Sequence, residues 1–368
     1  MAATDFTQWN TAWVADSTIL HARLAAWEGQ PTVALDTEFI RERTFWAQLA
    51  LVQLAVPGEI VLADPLAPGI CAVLGEFFAR KGITWLMHAA GEDLQALRVS
   101  CGVVPEPLFD TQCAAALSGI GAGMSYQRLV EQVTGVALEK GETRSDWLRR
   151  PLSESQCRYA ADDVRHLHAI HGDLSQRLAG LRRADWLAQE CARQVANELD
   201  QQPEPRPHLA LRSAQGLSGD GQWRLCRLLH WREVQARASD RPRTWILDNE
   251  LAATLARLSA HERGEFDHAL DNHPKAPRKL RESLWAVVAD PLPVPADFVL
   301  ASVQGPGDRD RLRRLQAAIK HESERLGLPE GVLASRRLLE ARMQHGRWPA
   351  DTARWRLAIL EPLLAPLL

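Results

Sequence analysis

Residues 201–207 read QQPEPRP. Three prolines in seven residues cannot be carried through a helix, because each lacks the backbone N–H that a helix needs and crowds the preceding turn. This segment splits the chain into two parts with different periodicities. Before it, strand and helix signals alternate. Thr32–Asp36 (TVALD) is a short apolar run closed by an acid, and Ala47–Val56 and Glu59–Ala63 are joined by Pro57-Gly58, a hairpin turn by its chemistry. Ile83–Met87 reads as a fourth strand and Glu92–Arg98 as the helix after it. Early adjacent strands followed by strand–helix alternation predict an α/β domain, a mixed sheet flanked by helices.

Beyond the proline segment the pattern is helical. Leu225, Leu228 and Leu229 recur at helical spacing within Trp223–Arg237, and Ser259 with Glu262 reads as a capping box. A second break, DPLPVPAD at 290–297, precedes another helical block, in which Pro329 and Gly346 bracket a helix. Ile246–Asn249 resembles Val332–Ser335, two apolar residues, a variable one and an N-cap, which suggests a distant repeat. The expected division is 1–200, 208–290 and 298–368.

A chain of 368 residues has room for more than one core. The start lacks a basic region followed by an apolar run, so no signal peptide is expected, and no stretch is long enough for a membrane span. Six scattered cysteines without a CxxC pair fit reduced thiols rather than a disulfide frame or a zinc site, which points to the cytoplasm. Residues 1–200 hold 17 basic and 25 acidic residues, and the remainder 26 and 21. An acidic half beside a basic half suits metal chemistry joined to phosphate binding, although solvated charges segregate by chance as well.

The acids that carry chemistry are spread along the first half. Asp36 and Glu38 close the first strand at positions i and i+2, on one face and about 6.6 Å apart. Two carboxylates so placed repel unless a cation lies between them. Asp93, in HAAGED at 88–93, falls at a strand-to-helix junction, where an acid also serves the helix dipole. Ser153 and Gln156 read as a capping box opening a helix on which Tyr159 and Asp163 stand at i and i+4, sharing a face. Each of these features alone has an ordinary structural explanation.

Their order changes the reading. DTEF at 36–39, HAAGED at 88–93, FDTQ at 109–112 and Tyr159 with Asp163, supported by Phe39, Arg41, Arg43, Gln53, Lys140, Arg144, Ser145-Asp146-Trp147 and Arg150-Pro151-Leu152, resemble the ribonuclease D family. That family belongs to the exonuclease class named for four acids and a tyrosine. The resemblance covers residues 28–175 strongly. The blocks at 208–290 and 298–368 are similar to the helicase-and-RNase-D C-terminal (HRDC) domains that accompany this exonuclease, the second more diverged.

The resemblance implies an RNase H-like exonuclease domain followed by two all-α HRDC-type domains. It implies 3′→5′ exoribonuclease activity with two divalent ions, Mg²⁺ or Mn²⁺, releasing nucleoside 5′-monophosphates from tRNA precursors and other small RNAs. By the family pattern Asp36 bridges both ions, Glu38 and Asp163 complete the site of the ion that activates water, Asp93 supports the other, and Tyr159 orients the nucleophile. Phe39, Arg41, His88 and Lys140 are candidate substrate contacts, with His88 also read as a cleft-shaping group and Asp110 as either a direct participant or a local hydrogen-bonding group. Most tryptophans are expected in cores or between domains, and a monomer is expected. Two alternatives remain: a DNA exonuclease with the same acids, and a non-catalytic nucleic-acid-binding scaffold.

Overall fold

The computed structural model describes residues 9–139, 141–142, 145–259, 261–301 and 306–368. Lys140 and Arg144 lie outside the described residues. The chain forms two compact units: 1–40, 47–200 and 306–368 in the first, and 41–46 with 201–305 in the second.

The first unit runs β1 (Asn10–Val14), α1 (Ser17–Ala26), β2 (Thr32–Ile40), β3 (Gln48–Val56), β4 (Glu59–Ala63), α2 (Ile70–Phe78), β5 (Thr84–Met87), α3 (Gly91–Cys101), β6 (Leu108–Asp110), α4 (Thr111–Leu117), α5 (Tyr126–Thr134), α6 (Glu154–Arg165), α7 (Leu167–Gly180) and α8 (Ala184–Leu199). The six strands lie in the order β1-β4-β3-β2-β5-β6, with β2 antiparallel to β3 and parallel to β5. This is the expected mixed sheet, and the strand bearing Asp36 sits inside it. Pro57-Gly58 makes the expected hairpin: Val56 pairs with Glu59, and Gly58 takes a φ of +90°, which a residue with a Cβ resists. Strands β1 and β6 went unread in the sequence. The first is a mostly exposed edge, and the second is three residues long, too short for periodicity to register.

The second unit is helical: α9 (Gly219–Ser239), α10 (Arg243–Ile246), α11 (Asn249–Leu255), α12 (Arg263–Asn272) and α13 (Arg281–Ala289). Its core gathers Leu225, Leu228, Leu229, Leu251, Leu255, Phe266, Leu270 and Leu284. Residues 41–46 belong to it, because Phe45 and Trp46 donate their backbone N–H groups to Asp240 (both 3.0 Å) and Arg243 lies 4.5 Å from the centre of the Phe45 ring.

The chain ends in α14 (Pro306–Leu326), α15 (Arg336–His345) and α16 (Arg354–Leu364). These helices were expected to form a third body, yet they share the core of the first unit. Trp355 stacks on Trp186 at 4.3 Å, its indole N–H donates to Glu190 (2.9 Å), and Arg356 pairs with the same carboxylate. Apolar spacing shows that a helix has a face to bury, not which surface buries it.

Three local readings also change. Pro329 does not open α15, whose N-cap is Ser335, while Gly346 ends it as expected. Glu262 accepts from the backbone N–H of Ser259, but α12 starts at Arg263, so Ser259 is not its N-cap. In the suggested repeat the caps are Ser335 and Asp248, and Asp248 stands one place before the matching Asn249.

Candidate active site

Three elements bring the acids together. Strand β2 supplies Asp36 and Glu38. Thr37, between them, points to the other face by strand alternation and donates its hydroxyl to Asp93 Oδ1 at 2.5 Å. Asp93 lies in the first turn of α3. Ahead of it, Ala89 adopts a φ of +57°, costly for a residue with a Cβ. Asp110 holds that turn by accepting from the N–H groups of Ala89 (3.2 Å) and Ala90 (3.1 Å) while capping α4 through Gln112 N and Cys113 N. Its carboxylate is thus occupied with local hydrogen bonds, the second of its two expected roles.

Helix α6 packs across β2, β3 and β4 and carries Tyr159 and Asp163. The expected capping box opens it: Ser153 Oγ accepts from Gln156 N, and Gln156 Oε1 accepts from Ser153 N. Asp162 faces elsewhere, as expected, and pairs with Arg165 at 2.8 Å. At the far end the Tyr126 hydroxyl donates to the Asp162 carbonyl, which fixes the helix against α5.

The electrostatics follow from this crowding. Burial pushes the Asp36 carboxyl well above its usual range, and Asp93, Asp163 and Glu38 each add to the rise. Burial, then Asp163 and Asp93, raise Glu38 to about 8. Burial, then Asp162 and Asp93, raise Asp163 to about 8. Asp93 reaches about 7 through burial, with the Thr37 hydrogen bond opposing. These are the effects of like charges and desolvation with no cation to offset them. Tyr159 is pushed upward by burial, then Asp163, Glu38 and Asp36, so its phenol keeps its proton at neutral pH.

Two residues join the site that spacing alone did not mark. Gln53 is the cross-strand partner of Asp36 and is fully buried, and neither Oε1 nor Nε2 meets a hydrogen-bond partner among the described residues. Gly141 presses its backbone against the Tyr159 ring, so any Cβ there would collide with the ring. Trp147, buried as expected, packs 6.1 Å from the same ring.

The other candidates fall in different places. Phe39 is partly buried against the core, just past a β-bulge after Glu38. Arg41 starts the segment that packs with the second unit. His88 has both ring nitrogens engaged, Nδ1 with Thr111 Oγ1 (2.9 Å) and Nε2 with the Met124 carbonyl (3.0 Å), and burial lowers its pKa. It therefore shapes the turn as a neutral imidazole.

The donor set fits hard divalent cations, which prefer carboxylate oxygens and water. Among the described residues no three His, Cys, Asp or Glu side chains already close around one point. A cation such as Mg²⁺ takes one or two carboxylates and completes its shell with water and substrate phosphates. The unpaired Gln53 amide beside Asp36 is a further polar group that a hydrated ion could satisfy.

Comparison with known proteins shows the family. A family model described as 3′-5′ exonuclease matches residues 11–179. The chain is 50% identical over 357 residues to ribonuclease D of Xanthomonas oryzae pv. oryzae, covering 97% of this chain and 98% of the relative. It is 35% identical to ribonuclease D of Pseudomonas paraeruginosa, covering 91% and 89%. Among solved structures it superposes on Escherichia coli RNase D, described as an exoribonuclease involved in structured RNA processing, with a TM-score of 0.84, 29% identity and coverage of 97% and 99%. By these relatives, the chain belongs to the ribonuclease D family of 3′→5′ exoribonucleases.

Proposed function

We propose that this enzyme trims the 3′ ends of tRNA precursors and other small RNAs, with Asp36, Glu38, Asp93 and Asp163 holding two divalent cations, Mg²⁺ or Mn²⁺, at the terminal phosphodiester. The exonuclease fold of this family uses divalent metal ions. The observation that carries the reading is the cluster itself: four carboxylates from three elements, all with pKa values raised by burial, in which Asp93 and Asp163 raise Asp36 and Glu38 further and no ion pair to a cationic side chain forms among the described residues. When bound, such ions offset charge on the phosphoryl oxygens and acidify water.

The chain's own residues do the positioning. Thr37 fixes Asp93, and Asp110 fixes the turn that presents it. Tyr159, neutral and backed by Gly141 and Trp147, orients the attacking water through its hydroxyl. Water's oxygen bonds to phosphorus, the P–O3′ bond breaks, and the proton ends on the departing 3′ oxygen. The products are a nucleoside 5′-monophosphate and an RNA one residue shorter.

Residues 208–290 and 298–368 are assigned as HRDC-type segments, and the basic balance of 201–368 suits them to grip the RNA upstream of its 3′ end. Phe39 and Arg41 are assigned to the terminal nucleotide by stacking and phosphate contact. The deciding test is digestion of a 3′-extended tRNA and a single-stranded DNA of the same sequence, with Mg²⁺, Mn²⁺ or chelator. Ordered release of ribonucleoside 5′-monophosphates that stops in chelator is expected. Faster attack on the DNA would transfer the assignment to a DNA exonuclease, and metal-independent release would overturn it.

A further inference from the structure

Most tryptophans in this chain are expected in cores or between domains; Trp13 is 40% exposed. It stands on the edge strand β1 and lines a cleft of about 360 Å³ with Asp64, Arg150, Pro151, Leu152 and Cys157. The sheet register ties this cleft to the catalytic acids. Trp13 pairs with Leu62, Leu62 with Gln53, and Gln53 with Asp36. Directly paired residues project from the same face of a sheet. Trp13 therefore lies in the Asp36 row and on its face, three strand spacings away, or about 14 Å. Helix α6 spans the same interval, with Cys157 at the cleft and Tyr159 and Asp163 at the acids.

The cleft is preorganised. Arg150 lies 5.3 Å from the centre of the Trp13 ring, and every part of its guanidinium is held: Nε and Nη2 by Asp64 (2.9 and 2.6 Å), Nη1 by the Trp147 carbonyl (2.7 Å), and Nη2 also by the Ala50 carbonyl (2.6 Å). Its charge is spent on Asp64, so Arg150 serves as a fixed plate rather than a phosphate ligand. Two other arginines are available. Arg149 and Arg158 are exposed and have no ion-pair partner among the described residues, and Arg158 lies between Cys157 and Tyr159 in sequence. Glu154 is the exposed acid on the same helix.

We propose that this cleft is a second nucleotide subsite, in which an unpaired base of the RNA stacks on Trp13 while Arg149 and Arg158 meet the intervening phosphates. The span of about 14 Å corresponds to roughly four nucleotides at a stacked rise of 3.4 Å, and to fewer in an extended strand. An exposed indole beside a fixed guanidinium is a platform for any base, since each base offers a π face. The proposal rests on the exoribonuclease reading above. It adds that the enzyme prefers unpaired 3′ ends several nucleotides long.

The test is the advantage of an octanucleotide over a dinucleotide in kcat/KM, measured for the wild type and for Trp13→Ala. We expect Trp13→Ala to cut that advantage about tenfold, mainly through KM, Trp13→Phe to restore most of it, and Arg158→Glu to reduce it as well. An unchanged ratio in a folded Trp13→Ala enzyme would overturn the subsite and leave the exonuclease assignment intact. If Trp13→Ala does not fold, cross-linking of wild-type enzyme to RNA carrying 4-thiouridine at each of the last five positions decides. Attachment near Trp13 or Arg150 from the third to fifth nucleotide supports the subsite, and attachment only elsewhere overturns it. A wild type that releases no nucleotide from either length would overturn both readings.

Discussion

Glu233 on α9 and Asp36 on β2 are both carboxylates drawn out of water, and their surroundings treat them in opposite ways. Burial raises the Glu233 pKa, but hydrogen bonds from Arg243 and Arg237 outweigh it and leave the group below its usual value. Arg237 Nε donates at 2.8 Å, and Arg243 reaches both oxygens. Around Asp36, burial raises the pKa and three more acids, Asp93, Asp163 and Glu38, raise it further. One carboxylate is closed into an ion-pair network that holds a helical unit together. The other belongs to a cluster whose burial and like charges cost stability, the pattern expected of the proposed cation site.

The sharpest way to break this comparison is to neutralise each carboxylate. Asp36→Asn is expected to reduce nucleotide release by on the order of 10⁴-fold, the scale on which enzymes lose a core catalytic group. The same variant should fold, and in chelator it should melt higher than wild type, by about 2–4 °C for each 1 kcal/mol of repulsion relieved. A variant that stays active, or that melts lower, would contradict the assignment. Glu233→Gln should do the reverse: it leaves two arginines unmatched and lowers stability by about 1–2 kcal/mol, a figure reduced for the partial exposure of Arg243. Calorimetry of the two variants side by side measures the contrast.

Smaller effects sharpen the picture of the cluster. Tyr159→Phe should lower kcat by about 10²-fold with little change in KM, because the role proposed for the phenol is to orient water rather than to bind RNA. Gly141→Ala should act in the same direction by displacing the ring. Thr37→Val frees Asp93 and should weaken cation affinity about tenfold, as loss of a hydrogen bond to a ligand does elsewhere. Titration calorimetry with Mn²⁺ checks this, and unchanged affinity would remove Thr37 from the site.

Acidity supplies a further contrast. Glu38 and Asp163 at about 8 and Asp93 at about 7 hold protons more tightly in the folded chain than in the unfolded one. Their contribution to stability is complete below about pH 4, the unfolded value. It is lost as pH rises through about 7 and 8. In chelator, the first unit should therefore lose stability between about pH 4 and pH 8, and Mn²⁺ should restore it at the upper end. Glu233, with its lowered pKa, contributes stability that is present above the unfolded value and lost only in acid. A melting temperature independent of pH across the neutral range would argue against the crowded cluster.

The parts of the molecule legible in its sequence were those with short-range signatures. Asp36 and Glu38 closed an apolar run, Ser153 and Gln156 announced α6, and the spacing of Tyr159 and Asp163 placed both on one helix face. The family resemblance supplied Asp93. Long-range contacts were not legible. Thr37 and Asp93 are 56 residues apart in sequence, and nothing local to either announces the bond between them. The ring of Tyr159 explains Gly141 only once both are placed. The Trp355–Trp186 stack puts the last helices in the first unit's core, although their periodicity looked like that of a separate domain. Trp13 likewise gained meaning from register, because only strand pairing puts it in the Asp36 row.

The most direct measurement is Mn²⁺ binding at about pH 7 to wild type and to Asp36→Asn, by calorimetry in buffers of different ionisation enthalpy. Carboxyls with pKa values near 7 and 8 must give up protons as the cation enters. Two ions bound with net proton release in the wild type, and loss of both features in the variant, are the expected result. Binding without proton release, or equal binding by Asp36→Asn, would contradict a carboxylate cluster held ready for divalent cations.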